Sequence, residues 1–107
     1  MTDQKKTRRQ LLEEFVAQKP DDAFSRYGLA MECMNSGDPS AADAHFRALV
    51  ERNAGYIPAY LMYAQLLARE SRNEEALQVL TNGIAAAAQK GDEHARSEME
   101  SLLSELS

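Results

Sequence analysis

The feature that most constrains this 107-residue chain is a pattern of small and large residues that recurs after 34 positions. The pairs at this spacing are Ala30 with Ala64, Ala42 with Ala76, Phe46 with Leu80, Val50 with Ile84, Leu29 with Tyr63 and Cys33 with Leu67. The same step leads back from Phe46 to Leu12 and from Val50 to Val16. A period of this length is typical of stacked structural units, none of which can bury its hydrophobic face alone. The chain is therefore predicted to be one domain built from stacked repeats.

The composition predicts that these repeats are helical. Val, Ile and Thr are scarce, and the chain has only three Pro and five Gly. Strand-rich proteins need more β-branched residues and more turn residues than this. Turn signals divide the chain into six predicted helices. These signals are Pro20, the segment 35–39, the segment 53–55, the segment 71–73 and Gly91 with Asp92. The fold class predicted is all-α, with the helices paired into antiparallel hairpins.

The apolar residues predict different surroundings for different helices. The first helix carries one face, formed by Leu11, Leu12, Phe15 and Val16. The second helix has too many apolar residues for one stripe, which indicates that two of its sides are occupied. The apolar residues of this helix are Phe24, Tyr27, Leu29, Ala30, Met31, Cys33 and Met34. The last helix has a single stripe from Ala95 through Met99 to Leu106, as expected of an end cap with one neighbour.

Charge and cysteine content exclude several classes of protein. The formal net charge of −5 argues against a DNA- or RNA-binding domain, which is normally basic. The basic residues between Lys5 and Arg9 are better explained as a solvated helix start. One cysteine cannot form an internal disulfide, and the basic N-terminus has no apolar segment behind it, so a cytoplasmic protein is expected. No apolar run approaches the roughly 20 residues that span a bilayer, so no membrane partner is expected.

The pattern resembles the tetratricopeptide repeat, whose signature is W-x2-L-G-x2-Y, then A-x3-F, then P. The first repeat offers Leu29-Ala30-x2-Cys33 and then Ala42-x3-Phe46; the second offers Tyr60-x2-Tyr63-Ala64-x2-Leu67 and then Ala76-x3-Leu80. Arg26 departs from the family by standing where a large aromatic is usual, and Ala54 and Ala88 replace the closing proline. The resemblance divides the chain into a frayed N-terminus (1–6), a half repeat (7–20), two repeats (23–56 and 57–90) and a C-terminal capping helix (92–106). It implies a right-handed superhelix.

In the resembled family the first helix of each hairpin lines a concave groove that takes peptides or partner helices. Carried onto this chain, the groove residues are Tyr27, Met31, Met34, Asn35, Leu61, Gln65 and Arg69. Two alternatives stay open: Met31, Met34 and Leu61 belong to the core instead, or the last helix covers the groove. The subfamily that clamps chaperone C-terminal carboxylates uses Lys and Asn on this face. Because Tyr27, Met31 and Met62 stand there, the chain is predicted not to be such a clamp.

The resemblance implies a non-enzymatic module that binds another protein or a peptide. The alternative is a structural module that associates with itself, as a homodimer or within a larger assembly. RNA binding is opposed by the acidic balance. Catalysis has no support, because His45 and His94 lack the spacing of a zinc motif with Cys33, and no phosphate-binding loop is present. No cofactor is expected.

Overall fold

The structure is a computed structural model, and it describes residues 5–107. Within these residues it contains six α-helices and no strand. The helices are α1 (Arg8–Gln18), α2 (Ala23–Asn35), α3 (Pro39–Arg52), α4 (Ile57–Arg69), α5 (Asn73–Lys90) and α6 (Glu93–Leu106). The predicted all-α fold is confirmed. The frayed N-terminus was predicted for residues 1–6, of which 1–4 lie outside the described residues; Lys5 and Lys6 lie exposed before α1.

Side chains at the turns explain why the helices begin and end where they do. Asp22, Asp38 and Asp92 accept hydrogen bonds from the backbone N–H groups three residues later, at 3.1, 3.2 and 3.1 Å. Such bonds satisfy N–H groups that have no partner inside the helix. Gly37 and Gly91 have φ values of 79° and 75°, a conformation that glycine adopts more readily than residues with a side chain. At the start of α5, Arg72 occupies the capping position without making a side-chain capping bond, and Asn73 is the first residue of the helix.

Each helix packs against the next one along the chain, and α6 also packs against α4. The small residues of the repeat lie where helices cross closely, since Ala30, Ala42, Ala64 and Ala76 are fully buried. Phe46, Leu80 and Leu67 fill the space between hairpins and are equally buried. Arg26, which departs from the family pattern, is 9% exposed and donates a hydrogen bond to the carbonyl of Pro20 at 3.0 Å. Its aliphatic stem therefore takes part in packing where an aromatic ring is usual.

A network around Asp43 ties the hairpin of α2 and α3 to the hairpin of α4 and α5. Tyr63 donates a hydrogen bond from its hydroxyl to Asp43 Oδ1 at 2.7 Å. Arg47 and Arg72 approach the same carboxylate at 3.1 and 3.6 Å. Arg72 also holds Glu75 through two hydrogen bonds of 2.7 Å. Because Asp43 lies on α3, Tyr63 on α4 and Arg72 at the start of α5, the network fixes the angle between the two hairpins.

His45 is expected to make the stability of the domain depend on pH. It is partly buried on α3, and burial lowers the pKa of its imidazole, helped by the positive charges of Arg26 and Arg9 and opposed by Glu13. The folded state therefore holds this proton less tightly than the unfolded state does. We expect the free energy of unfolding to be maintained above about pH 6.5 and to decrease as the pH falls below it. Denaturant unfolding of wild type across this range measures the slope.

His45→Gln should flatten this part of the stability profile, because the neutral side chain removes the group that titrates. The same substitution at the exposed His94 controls for the loss of an imidazole elsewhere. A wild-type slope that survives in His45→Gln would assign the pH dependence to another group.

Candidate binding groove

A groove runs along α2, α4 and α6. Its first part is a cavity of about 200 Å³ whose lining includes Tyr27, Leu61, Ala95 and Met99. Tyr27, Leu61 and Ala95 stand at successive steps of the 34-residue period, on α2, α4 and α6 respectively. The helices α2 and α4 are each the first helix of a hairpin. By the same 34-residue step, α6 stands where the first helix of a third hairpin would be. The last helix therefore forms a wall of the groove.

The second part of the groove lies between α4 and α6. It is a cavity of about 370 Å³, lined by Leu61, Gln65, Glu98, Ser101, Leu102 and Glu105. Leu61 and Glu98 line both parts, so the two cavities adjoin. The first part is mainly apolar, and the second part is flanked by carboxylates of α6. Neither lining contains a Lys or an Arg.

The predicted groove residues separate into three groups. Tyr27, Leu61 and Gln65 are partly exposed and line the two cavities. Asn35 and Arg69 are exposed at the C-terminal ends of α2 and α4, outside both linings. Met31 is partly buried and packs on the core, and Met34, at 8% exposure, belongs to the core itself. Tyr27 and Leu61 also contact the core, which gives the groove a floor held by hydrophobic packing.

The residues that sequence reasoning missed are on α6. They are Ala95, Glu98, Ser101, Leu102 and Glu105. The signal was present, because the 34-residue step leads from Leu61 to Ala95 and from Ala68 to Leu102. The single apolar stripe of α6 instead suggested an end cap, and the alternative left open was that this helix covers the groove.

The electrostatics of the groove favour apolar and positively charged groups. The Tyr27 ring lies 5.4 Å from the Tyr56 ring and 6.4 Å from the Phe46 ring, measured between centroids. Burial raises the pKa of the Tyr27 phenol, so this side chain stays neutral and offers a hydroxyl beside an apolar surface. Glu98 and Glu105 on α6, with Asp92 at its start, supply the acidic side chains.

The described residues contain no cluster of three or more side chains that could hold a metal ion. Cys33 is fully buried, and burial raises the pKa of its thiol, which makes it a poor nucleophile. His94 and Glu98 approach within 3.3 Å on the exposed side of α6. Across residues 5–107, no helix combines the length and apolar character needed to cross a bilayer.

The chain is similar to tetratricopeptide repeat proteins in both sequence and structure. No family model matches the chain. A TPR repeat-containing protein of Pseudomonas aeruginosa is 30% identical over 95 residues, which cover 89% of this chain and 90% of that protein. A tetratricopeptide repeat domain protein of Salinibacter ruber, solved by NMR, superposes with a TM-score of 0.78 at 31% identity, covering 82% of this chain and 89% of the other.

Two further structures share the fold. A Bordetella parapertussis protein gives a TM-score of 0.78 at 25% identity, covering 95% of this chain and 89% of the other. The type III secretion translocator chaperone SycD of Yersinia enterocolitica gives 0.83 at 14% identity, covering 92% of this chain and 68% of the other. At that identity the likeness extends to the fold alone.

Proposed function

Since this chain belongs to the tetratricopeptide repeat family, whose fold generally mediates protein–protein interaction, we propose that it binds a peptide or helix of a partner protein in its concave groove. Its homologues are typically non-enzymatic scaffolds. The observation that carries the proposal is the continuous groove along α2, α4 and α6. Its two cavities of about 200 and 370 Å³ share Leu61 and Glu98.

The lining specifies the chemistry of the ligand. Tyr27 and Leu61 offer an apolar surface for one large side chain, at the end of the groove next to α2. Glu98 and Glu105 stand seven residues apart on α6, about two helical turns, so they line the groove over roughly 10 Å. A segment with an apolar anchor and Lys or Arg one or two turns away satisfies both features.

A ligand that binds through a free carboxylate fits this groove poorly. Among the expected groove residues, only Arg69 carries a positive charge, and an Arg side chain is suited to a carboxylate. Gln65 lines the groove, but Arg69 lies outside both linings. A carboxylate placed between α4 and α6 would instead meet Glu98 and Glu105, and like charges in such a site oppose binding. We therefore assign the groove to apolar and basic segments.

The test is selection of binding peptides from a displayed library of random sequence. Wild type should select peptides in which an apolar residue and a Lys or Arg are separated by one or two helical turns, in either order. We expect Glu98→Lys to reduce the affinity for a selected peptide by about tenfold. The substitution replaces attraction of the peptide's basic residue by repulsion, at a position that lines both cavities. Fluorescence anisotropy with the labelled peptide measures this.

Glu51→Lys is the matched control, since it makes the same change of charge at an exposed site of α3 outside both cavity linings. It should leave the affinity within about twofold. A selection that yields only acidic peptides, or peptides whose affinity falls equally in both variants, would contradict the proposed groove. Circular dichroism of each variant confirms that the fold is retained.

A further inference from the structure

Three large apolar side chains are exposed together at the first end of the stack. Leu11, Phe15 and Phe24 are 55%, 45% and 76% exposed. They border a cavity of about 350 Å³ between α1 and α2, whose lining also includes Leu12 and Gly28. We call Leu11, Phe15 and Phe24 the N-terminal patch. Exposed apolar side chains gathered on one face mark an interaction surface more often than single ones do.

The repeat register explains why the patch is uncovered. Phe15 on α1 corresponds to Leu49 on α3, one period later. Leu49 is fully buried, whereas Phe15 is almost half exposed. The difference arises because α3 packs against α2, the preceding helix of the same hairpin, whereas no described helix precedes α1. The N-terminal patch is therefore the surface against which a further helix would pack in a longer stack.

The other end of the stack is built differently. Positions of α2 and α4 that face their hairpin partners hold buried residues, among them Ala30 and Ala64. The equivalent residue of α6 is Glu98, and the neighbouring equivalents of Leu29 and Cys33 are Ser97 and Ser101. All three are exposed. A polar surface of this kind cannot cover the patch of another copy, so open head-to-tail stacking is disfavoured.

Charges at the two ends of the patch are self-complementary. Arg8 and Asp22 both line its cavity. Arg8 lies 3.1 Å from Glu32 on α2, and Glu32 is ten residues beyond Asp22. The charges of Arg8 and Asp22 are therefore separated by about 15 Å along that helix. A twofold axis through the middle of the patch would place Arg8 of each copy near Asp22 of the other. We propose that the N-terminal patch joins two copies of this chain in a symmetric dimer.

The size of the patch sets the strength and shape of this dimer. Only three exposed apolar side chains, on helices of 11 and 13 residues, form the patch, so we expect a weak dimer with a dissociation constant on the order of 1–100 μM. The molecule is 55 Å long, while its longest helix, of 18 residues, reaches only about 27 Å. The long axis therefore runs across the stacked helices, and pairing at one end makes an elongated particle.

Sedimentation equilibrium over a wide range of protein concentration tests the proposal. Wild type should change from monomer to dimer as the concentration rises, and Phe24→Glu should raise the dissociation constant at least tenfold. Phe24 is mostly exposed, so this change leaves the core intact. Thr81→Glu, at an exposed site on α5, is the control for the added charge and should dimerise like wild type. A wild type that stays monomeric at millimolar concentration overturns the proposal.

Small-angle scattering identifies the interface. A dimer joined at the N-terminal patch should have a maximum dimension of about twice the 55 Å length of one molecule. A compact, side-by-side dimer, or a dimer that Phe24→Glu leaves intact, would contradict the assignment to the patch. Arg8→Glu should weaken the dimer several-fold, and added salt should weaken it in wild type. Phe24 lies outside both cavity linings of the groove, so Phe24→Glu should leave peptide binding unchanged, and the two proposals fail or succeed separately.

Discussion

Gly83→Ala is expected to destabilise the domain by about 1–2 kcal/mol, although alanine is the better helix former. A Cβ atom at position 83 would lie 2.6 Å from Met99 Sδ and 2.6 Å from Tyr60 Cβ. The Met99 side chain can move, but the Tyr60 Cβ is fixed to the backbone of α4. Forcing these helices apart costs about 1–3 kcal/mol, which exceeds the gain of up to about 1 kcal/mol from helix propensity. Denaturant unfolding measures the difference.

Gly28→Ala is the matched control, because Gly28 is also in a helix interior. A Cβ there would meet only Leu12 Cδ2, at an ordinary 3.6 Å. We expect this variant to gain about 0.5–1 kcal/mol from the lower conformational entropy of the unfolded chain. Unfolding is measured at low protein concentration, so that dimerisation does not contribute. Two variants with the same sign would contradict the close contact of α5 with α4 and α6.

Much of the fold could be predicted from the sequence, because its physical causes are local. Asp22 and Asp38 cap helices, and Gly37 and Gly91 end them through backbone conformations that few residues adopt. The small residues Ala30 and Ala64 marked the close helix crossings, since a larger side chain would not fit there. The period then placed the hairpins in order.

The surfaces were harder to predict, because periodicity identifies an apolar face but not what covers it. Phe15 and Val16 belong to one stripe of α1, yet Val16 is buried and Phe15 is almost half exposed. Met31 and Met34 are both on the apolar part of α2, but only Met34 is in the core. Which of two neighbouring positions is buried depends on which helices pack beside it. That arrangement is set by contacts between residues distant in sequence, such as Tyr63 with Asp43.

The groove shows the same limit. The apolar stripe of α6 follows from its sequence, and so does its acidic side. Only the placement of α6 beside α4 brings Glu98 next to Leu61 and makes the two sides into one binding surface. The charge of the groove, and hence the class of ligand proposed, depends on this tertiary contact rather than on any residue of α2 or α4 alone.

Phe46→Ala is expected to have the largest effect on stability of any single change considered, about 3–5 kcal/mol. The Phe46 side chain is fully buried, its ring stacks on Tyr63 with centroids 5.7 Å apart, and it meets Tyr27 edge to face at 6.4 Å. Removing the ring leaves a cavity between the two hairpins. The loss is a large part of the total stability of a domain of this size, about 5–15 kcal/mol. Urea unfolding measures it.

Phe46→Leu separates the loss of volume from the loss of aromatic contacts. Leu80 stands at the same position one repeat later and is equally buried, so a leucine is compatible with packing at this position of the repeat. We expect this variant to lose about 1.5 kcal/mol or less. Because Phe46 supports the Tyr63 ring, and Tyr63 holds Asp43, Tyr63→Phe should cost less in the Phe46→Ala background than in wild type. Additive losses would mean that the hydrogen bond between Tyr63 and Asp43 orders the hairpins without help from the stacked rings.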